Sequence, residues 1–228
     1  MGAGVTGQAL CFDGVDDFVT VGNASVLQTP AGTTFTYEAW IRGLPGQVPN
    51  QMFINRFLPY FRVDAGRLHL SIQAAGIQRN VWGSTLLSSD RWHHVVATFD
   101  ATGMMRVFLN GALDGTAGPF LPIDNFGDAM RFGIHGAPPG SLFYRGILDE
   151  VRIFRAALPT SYIQKRHVQG IKDLAANGGI TQEEKQQRIA ELRNSGQLVI
   201  DLDAALVGPI DFSPYAHYFE ALSLEVTE

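Results

Sequence analysis

Acidic side chains lie at the two ends of the strand-rich part of the sequence. Asp13, Asp16 and Asp17 are near the start of the chain, and Asp149 and Glu150 are near residue 156, where that part ends. Ca²⁺ binds about six to eight oxygens, many of them from carboxylates. A fold that joins its first and last strands would unite these five residues, which predicts a structural Ca²⁺ as the candidate cofactor. The alternative is that the carboxylates cap turns and are solvated.

The other metal pattern, a zinc site, is not supported by the sequence. His93 and His94 are consecutive in a predicted strand, so their side chains point to opposite faces. The remaining histidines form no pair at helical spacing, and Cys11 has no cysteine partner. Cys11 lies in an apolar run and is predicted to be a small buried thiol.

The sequence also lacks the patterns of catalytic sites. A glycosidase needs two carboxylates that face one cleft, but Asp149 and Glu150 are consecutive and should diverge across a strand. No nucleophile elbow, phosphate-binding loop or dinucleotide-binding glycine pattern occurs. We therefore predict no catalytic residues and no enzyme activity.

The elements that would position these side chains are β-strands as far as about residue 156. Residues 34–41 alternate between apolar and polar side chains, which places Phe35, Tyr37, Ala39 and Ile41 on one buried face. Twenty-five glycines and eleven prolines fit short strands joined by tight turns. A sheet-rich domain is the expected class.

Two groups of strands are predicted from their turns. Residues 60–64 and 67–73 flank an Asp-Ala-Gly turn and form a hairpin whose inner face includes Leu68 and Leu70. Residues 91–116 form a three-stranded meander, in which Asn110-Gly111 is suited to a type I′ turn.

After residue 157 the two-residue period is lost. Residues 159–177 and 181–193 have helical composition, and Thr181 with Glu184 fits a capping box at the start of the second helix. Residues 198–206 are predicted to form a strand, and residues 218–226 one more. The predicted organisation is thus a sandwich over residues 1–157 and a C-terminal extension over residues 158–228.

Composition excludes some partners. The net charge is −5 with scattered basic residues, which argues against nucleic acid. No run approaches the ~18 apolar residues of a membrane span, so membrane insertion is not expected. The first residues, MGAGVTGQALCF, have no basic or apolar region of a signal peptide.

Four segments resemble the laminin-G-like jelly-roll family within the concanavalin-A-like lectin/glucanase group. They are ALCFDGVDDFV at residues 9–19, FTYEAWI at 35–41, WHHVVATFD through VFLNG at 92–111, and GILDEVRIF at 146–154. The resemblance covers about residues 8–158 and not the remaining tail. It implies an all-β, two-sheet antiparallel jelly-roll sandwich, here with a small C-terminal α/β appendage.

The resemblance also implies ligands. Members of this fold often hold a Ca²⁺ where the first strand meets the last, which suits Asp13, Asp16, Asp17, Asp149 and Glu150. They often bind carbohydrate, whose rings stack on exposed aromatic side chains. The candidates here lie in or near predicted loops and strand ends: Trp82, in a polar context, then Tyr60 and Tyr144. Trp40 and Trp92 are instead expected to fill the sandwich core.

These observations leave two functions open. The first is a non-catalytic binding module for glycans, stabilised by calcium and located outside the cell or at a cell or particle surface. The second is a structural or adhesive assembly protein, in which residues 158–228 contact a protein surface or a second copy of the chain. The tail favours the second, since a lectin fold does not need it.

Overall fold

Thirteen strands form two antiparallel sheets in the computed structural model, which describes residues 2–22, 34–44, 50–124, 127–136 and 140–214. The strands are β1 (Gly2–Ala3), β2 (Gln8–Asp13), β3 (Val19–Gly22), β4 (Phe35–Gly43), β5 (Gln51–Asn55), β6 (Tyr60–Asp64), β7 (Arg67–Ala74), β8 (Ile77–Trp82), β9 (Trp92–Phe99), β10 (Met105–Leu109), β11 (Ala112–Ala117), β12 (Met130–Phe132) and β13 (Arg145–Phe154).

The strand order confirms the predicted jelly-roll sandwich. The seven-stranded sheet has the order β1-β2-β13-β4-β9-β10-β11, and the six-stranded sheet has the order β3-β12-β5-β6-β7-β8. Strand β2, near the start of the chain, pairs with β13, the last strand. The fold therefore joins the two ends of the strand-rich region, as the carboxylate hypothesis required.

The main core lies between the two sheets, and strand alternation explains it. Phe35, Tyr37, Ala39 and Ile41 of β4 are all buried there, and they belong to the same cluster as the inward residues of β7: Leu68, Leu70 and Ile72. Both predicted inner faces are confirmed. Full burial of each large apolar side chain contributes roughly 1.5–3 kcal/mol, so this cluster is the main source of the sandwich's stability.

Tight turns fix the registers of the predicted hairpins. Asn110 and Gly111 have φ angles of 53° and 82°, as a type I′ turn between β10 and β11 requires. The β6–β7 hairpin turns at Ala65 and Gly66, with φ angles of 48° and 75°. Because the turn sets the register, it also decides which side chains meet across the sheet.

Three helices follow the sandwich: α1 (Thr160–Ala176), α2 (Gln182–Asn194) and α3 (Leu202–Val207). The first two confirm the predicted helices, and Thr181 Oγ accepts from Glu184 N at 3.1 Å at the start of α2. The carboxylate of Glu184 accepts from Arg188, at 2.6 Å.

The predicted strand at residues 198–206 is wrong. Most of its second half belongs to α3, whose first turn is capped by Asp201 Oδ1 accepting from Ala204 N at 2.9 Å. The apolar run suggested a strand, but the aspartate cap supplies a helix start. The predicted strand at residues 218–226 lies outside the described residues.

A second core separates the seven-stranded sheet from the helices. Trp40 and Trp92 point outward from that sheet and pack against Val168, Ile171 and Leu174 of α1. The expectation that these tryptophans fill the space between the sheets is therefore wrong, although both are buried. Alternation requires this result, because Ala39 and Ile41 already occupy the inner face.

The extension also covers a sheet edge. Gln197 Oε1 accepts from Leu113 N at 2.6 Å, and Gln197 Nε2 donates to Leu113 O at 3.1 Å. The side-chain amide thus takes the hydrogen bonds that an added strand would make to β11. An edge covered in this way is protected from pairing with another chain.

Two further features bear on the sequence predictions. Cys11 is exposed on β2, so the prediction of a buried thiol is wrong; Ala9 and Phe12 are the buried residues of that strand. Among the helices in the described residues, none combines the length and apolar composition that crossing a bilayer would require.

Candidate ligand-binding site

The outer face of the six-stranded sheet carries a row of polar and aromatic side chains. With Phe61, Leu68, Leu70 and Val81 in the core, the alternate residues of β6, β7 and β8 must face outward. The register places Arg62 opposite His69, and His69 opposite Trp82. Three neighbouring strands therefore contribute one side chain each to a single transverse row.

Trp82 is the exposed aromatic side chain of this row. It is 48% exposed, and its ring stacks on the imidazole of His69 with centroids 4.5 Å apart and an interplanar angle of 11°. The indole Nε1–H donates to Asp64 Oδ2 over 3.0 Å. One ring face is thus packed and the indole nitrogen is anchored, so the exposed side is held in a fixed orientation.

His69 is held as a neutral imidazole. Its Nδ1 accepts from Arg62 Nε at 3.0 Å, and arginine can only donate, so the proton lies on Nε2, which is 2.9 Å from Asn80 Oδ1. Burial lowers the pKa of His69, and the Arg62 charge lowers it further, although Asn80 and Asp64 act in the opposite sense. The imidazole on which Trp82 stacks is therefore uncharged at neutral pH.

Asp64 fixes both Trp82 and Arg62. Its Oδ2 also accepts from Arg62 Nη2 at 3.1 Å. Burial alone would raise the pKa of Asp64, but the Trp82 hydrogen bond and the Arg62 charge outweigh it, so the pKa lies below its usual value. It is the single acidic residue in strands β6, β7 and β8. Because glycoside hydrolysis uses two carboxylates, these strands alone do not supply a catalytic pair.

Tyr60 lies beside this row and is mostly covered. Its ring meets His69 edge-on at 5.6 Å, and only 7% of the residue is exposed. Its hydroxyl accepts from Gln78 Nε2 at 3.0 Å, and the same nitrogen donates to Ser71 Oγ at 2.9 Å. Tyr60 therefore stiffens the face and offers little ring surface to a ligand.

Tyr144 does not belong to the exposed face. It is 1% exposed in the core between the sheets, with its ring edge-on to Phe12 at 5.8 Å and to Phe53 at 6.3 Å. The expectation that it offers a stacking surface is wrong, because the loop before β13 turns its side chain inward.

Asp13, Asp16 and Asp17 form one acidic group. One carboxylate oxygen from each lies within 4.8 Å of the others, all three residues are exposed, and this is the single such group in the described part of the chain. Asp13 Oδ1 accepts from Val15 N at 2.7 Å, and Asp17 Oδ2 accepts from Asp13 N at 2.9 Å. These turn bonds occupy some of the oxygens. Carboxylate oxygens are ligands that Ca²⁺ prefers.

Asp149 and Glu150 do not join this group. The pairing of β2 with β13 was predicted, but its register sets Asp13 opposite Arg145, which puts Asp149 about 13 Å further along the strand. Asp149 Oδ2 instead accepts from Val5 N at 2.7 Å and Thr6 N at 3.2 Å, which fastens the loop between β1 and β2.

Glu150 is also paired with residues outside the acidic group. Its carboxylate pairs with Arg152 on the same strand and with Arg166 of α1, whose Nη2 lies 3.4 Å away. The prediction that all five residues share one site is therefore wrong, and only Asp13, Asp16 and Asp17 lie together.

Sequence reasoning missed the support of Trp82, namely Arg62, Asp64 and His69. Two short turns in the sequence could have located these residues, because they set the strand registers. A turn at Ala65-Gly66 sets Arg62 opposite His69, and a turn at Ala75-Gly76 sets His69 opposite Trp82.

Comparison with known proteins agrees with the fold. A family model described as the concanavalin A-like lectin/glucanases superfamily, laminin G type, matches residues 13–164. The chain belongs to this superfamily. The match ends within α1, so α2 and α3 lie beyond it. No curated protein matches the sequence.

Solved structures with the same fold are distant in sequence. A protein from Bacteroides ovatus described as a candidate carbohydrate-binding protein is 21% identical over 68% of this chain and 45% of that one, with a TM-score of 0.55. The binding domain of Paraclostridial Mosquitocidal Protein 1 is 15% identical over 74% of this chain and 47% of that one, with a TM-score of 0.55. A heptameric SAP-like pentraxin from Limulus polyphemus is 15% identical over 73% and 84%, with a TM-score of 0.53.

These likenesses establish the lectin-like sandwich. The chain spans less than half the length of the first two structures. At such identities the neighbours show the fold alone, and the ligand has to be argued from the side chains of this chain.

Proposed function

We propose that this chain is a non-catalytic glycan-binding module whose ligand stacks on Trp82. The observation that carries the proposal is the indole of Trp82, half exposed yet fixed by the His69 stack and the Asp64 hydrogen bond. An aromatic ring ordered before binding loses little entropy when a ligand packs on it. The C–H face of a sugar ring suits such a surface.

The polar neighbours of Trp82 suit the hydroxyl groups of a sugar. Gln78 is exposed and Asn80 is partly exposed on β8, on the same outward side as Trp82. Gln78 Nε2 already donates to Tyr60 and Ser71, and Asn80 Oδ1 is paired with His69, so the groups left for a ligand are the acceptor Gln78 Oε1 and the donor Asn80 Nδ2. An outer sheet face with one exposed aromatic ring and two neighbouring amides fits a chain of sugars better than a small molecule, which would need a concave pocket.

A glycan microarray tests this proposal, with the wild-type protein compared with Trp82→Ala. We expect the wild type to bind a defined set of glycans and the variant to lose them. Gln8→Ala, an exposed position on β2 of the other sheet, is the matched control and should bind like the wild type. Absence of binding by folded wild-type protein to every glycan would contradict the proposal.

We further propose that Asp13, Asp16 and Asp17 hold a Ca²⁺ that stabilises the loop after β2. The chemistry of the three carboxylates supports it, since hard oxygen donors favour this ion. A binding module of this kind is expected outside the cell or at a cell or particle surface.

Assembly through residues 158–228 is the second candidate function. It is supported by two exposed apolar side chains of the extension, Val199 at 59% and Val207 at 90% exposure. Against it, the apolar face of α1 already packs on the chain's own sheet. Sedimentation of the full chain over a range of concentrations tests the assembly function. A mass that stays monomeric would exclude self-assembly.

A further inference from the structure

A polar layer is buried where α1 lies on the seven-stranded sheet. Glu38 of β4, His94 of β9 and His167 of α1 are each at most 1% exposed, and both histidine rings lie against Trp40. The Trp40 ring centroid lies 5.2 Å from that of His94 and 5.7 Å from that of His167, and the two imidazoles are also 5.7 Å apart. All three ring pairs are within about 31° of parallel.

Several polar atoms of this layer lack hydrogen bonds. Among the described residues, neither ring nitrogen of His167 has a partner, and the same is true of His94 Nδ1 and Glu38 Oε2. Buried polar groups are almost always paired, and each exception requires an explanation. An apolar side chain in place of His167 would avoid this cost, so a histidine here points to a property that only a titrating ring supplies.

Hydrogen bonds and ion pairs offset part of the cost of burying His94 and Glu38. Glu38 Oε1 lies 3.1 Å from His94 Nε2 and accepts from Arg166 Nε at 3.2 Å, and Arg152 of β13 lies 3.9 Å away. Because the Glu38 carboxylate only accepts, neutral His94 already carries its proton on Nε2, and a second proton would go to Nδ1, which has no partner among the described residues. The charge of the carboxylate would still favour the protonated ring. Burial nevertheless lowers the pKa of His94 below its ordinary value.

Among the described residues, no hydrogen bond offsets the cost of burying His167. Burial lowers its pKa well below the ordinary value, and the charges that add to this effect come from His94, Arg188, Arg91 and His93. Those four groups reach it from β9, from the residue before β9 and from α2, and all are basic.

Two of the three acidic residues of α2 already have partners, and the third, Glu183, is exposed. Glu184 is paired with Arg188 at 2.6 Å, and Glu191 is paired with Arg91 at 2.7 Å. Glu150 of β13 is likewise paired with Arg166 and Arg152. Among the described residues a positive His167 would thus be buried without a hydrogen-bond partner, and the positive charges of Arg188 and Arg91 would oppose it.

We propose that α1 is an acid-released latch, in which mild acidification protonates His167 and frees the helix from the outer face of the seven-stranded sheet. His94 acts in the same direction, but more weakly because Glu38 faces it. Release uncovers Trp40 and Trp92 together with the apolar stripe of α1, so acid raises the population in which this sheet face is an exposed apolar surface.

Proton linkage determines whether acid favours the latched or the released state. The latched state keeps His167 neutral, whereas the released helix gives it an ordinary pKa of about 6.5. Below that pH the released state binds more protons, so acid favours it. One such histidine raises the opening equilibrium constant about thirtyfold between pH 7.5 and pH 5.0.

Hydrogen–deuterium exchange of the full chain tests the latch, with rates corrected for the effect of pH on chemical exchange. Between pH 7.5 and 5.0 we expect protection of residues 160–176 to fall about thirtyfold and protection of β6 and β7 to fall far less. In His167→Phe, which keeps an aromatic ring on Trp40, the fall in α1 should shrink to about threefold or less. His135→Gln is the control, because His135 also has a burial-lowered pKa but lies beside Tyr60.

Two results would overturn the latch. One is an acid response of α1 no larger than that of β6 and β7, and the other is a full response retained in His167→Phe. If that variant does not fold, an NMR titration of the wild-type imidazoles decides. The latch predicts that His167 stays neutral while α1 is protected, and titration near pH 6.5 with α1 still protected would contradict it.

Discussion

Gly170 of α1 lies directly against the indole of Trp40. A Cβ built on Gly170 would stand 2.6 Å from Trp40 Cε2, far inside carbon–carbon contact distance. The absence of a side chain at this position lets the helix approach the outer face of the seven-stranded sheet. This contact seats α1 beside the buried pair His94 and His167, and so joins the extension to the sandwich.

Replacement of this glycine should weaken the attachment of α1. We expect Gly170→Ala to lower the free energy of unfolding by up to about 2 kcal/mol, because overpacking costs roughly 1–3 kcal/mol and the gain in helix propensity returns only about 1 kcal/mol. Urea unfolding followed by far-UV circular dichroism measures this change. Gly208→Ala is the control, since its Cβ would meet Ala204 O at an ordinary 3.7 Å, and a loss there as large as at Gly170 would contradict the close-approach argument.

Removal of the buried charge of Glu38 should destabilise the protein most at neutral pH. Burial would raise the pKa of Glu38, but Arg166 and His94 outweigh it and hold the pKa at about 2. We expect Glu38→Gln to cost roughly 3–5 kcal/mol at pH 7, since Arg166 loses its buried partner.

The loss of stability caused by Glu38→Gln should become smaller as the pH falls. Glu38 has a lower pKa in the folded state than in the unfolded chain, where it is about 4.5. Its contribution is therefore complete above about pH 4.5 and is lost as the pH falls towards 2. Denaturant unfolding at pH 7 and pH 4 should show a smaller difference between variant and wild type at pH 4, and a larger difference would contradict the assigned pairing.

Calcium should stabilise the loop after β2. A stabilisation of about 2.7 kcal/mol is expected when Ca²⁺ is present at about 100 times its Kd. Thermal unfolding with Ca²⁺ and with EGTA measures it. Asp16→Asn should abolish the response, whereas Asp149→Asn should keep it, because Asp149 binds the amides of Val5 and Thr6 instead. A response lost only in Asp149→Asn would contradict the three-aspartate site.

Much of the fold was predictable because the decisive interactions are local. The alternation of Phe35, Tyr37, Ala39 and Ile41 and the turn at Asn110-Gly111 each depend on neighbouring residues. One segment was predicted wrongly. The apolar residues after 198 suggested a strand, but Asp201 caps the start of a helix.

The candidate site was less predictable because it depends on registers between distant segments. Trp82 was identified from its polar neighbours, but its anchor Asp64 is brought to it across two hairpins. Asp13 and Asp149 lie on paired strands, yet a register offset of four residues keeps them apart. Sequence patterns indicate which face a side chain occupies far better than which distant residue it meets.

Quenching of tryptophan fluorescence by acrylamide tests the central claim most directly. Trp82 is 48% exposed, whereas Trp40 and Trp92 are 1% and 3% exposed, so quenching at neutral pH reports chiefly on Trp82. The wild-type protein is titrated with the glycans it binds best on the microarray. If the ligand stacks on Trp82, saturation should reduce the quenching constant towards that of the Trp82→Phe variant. Saturating glycan that leaves the quenching constant unchanged would contradict the Trp82 site.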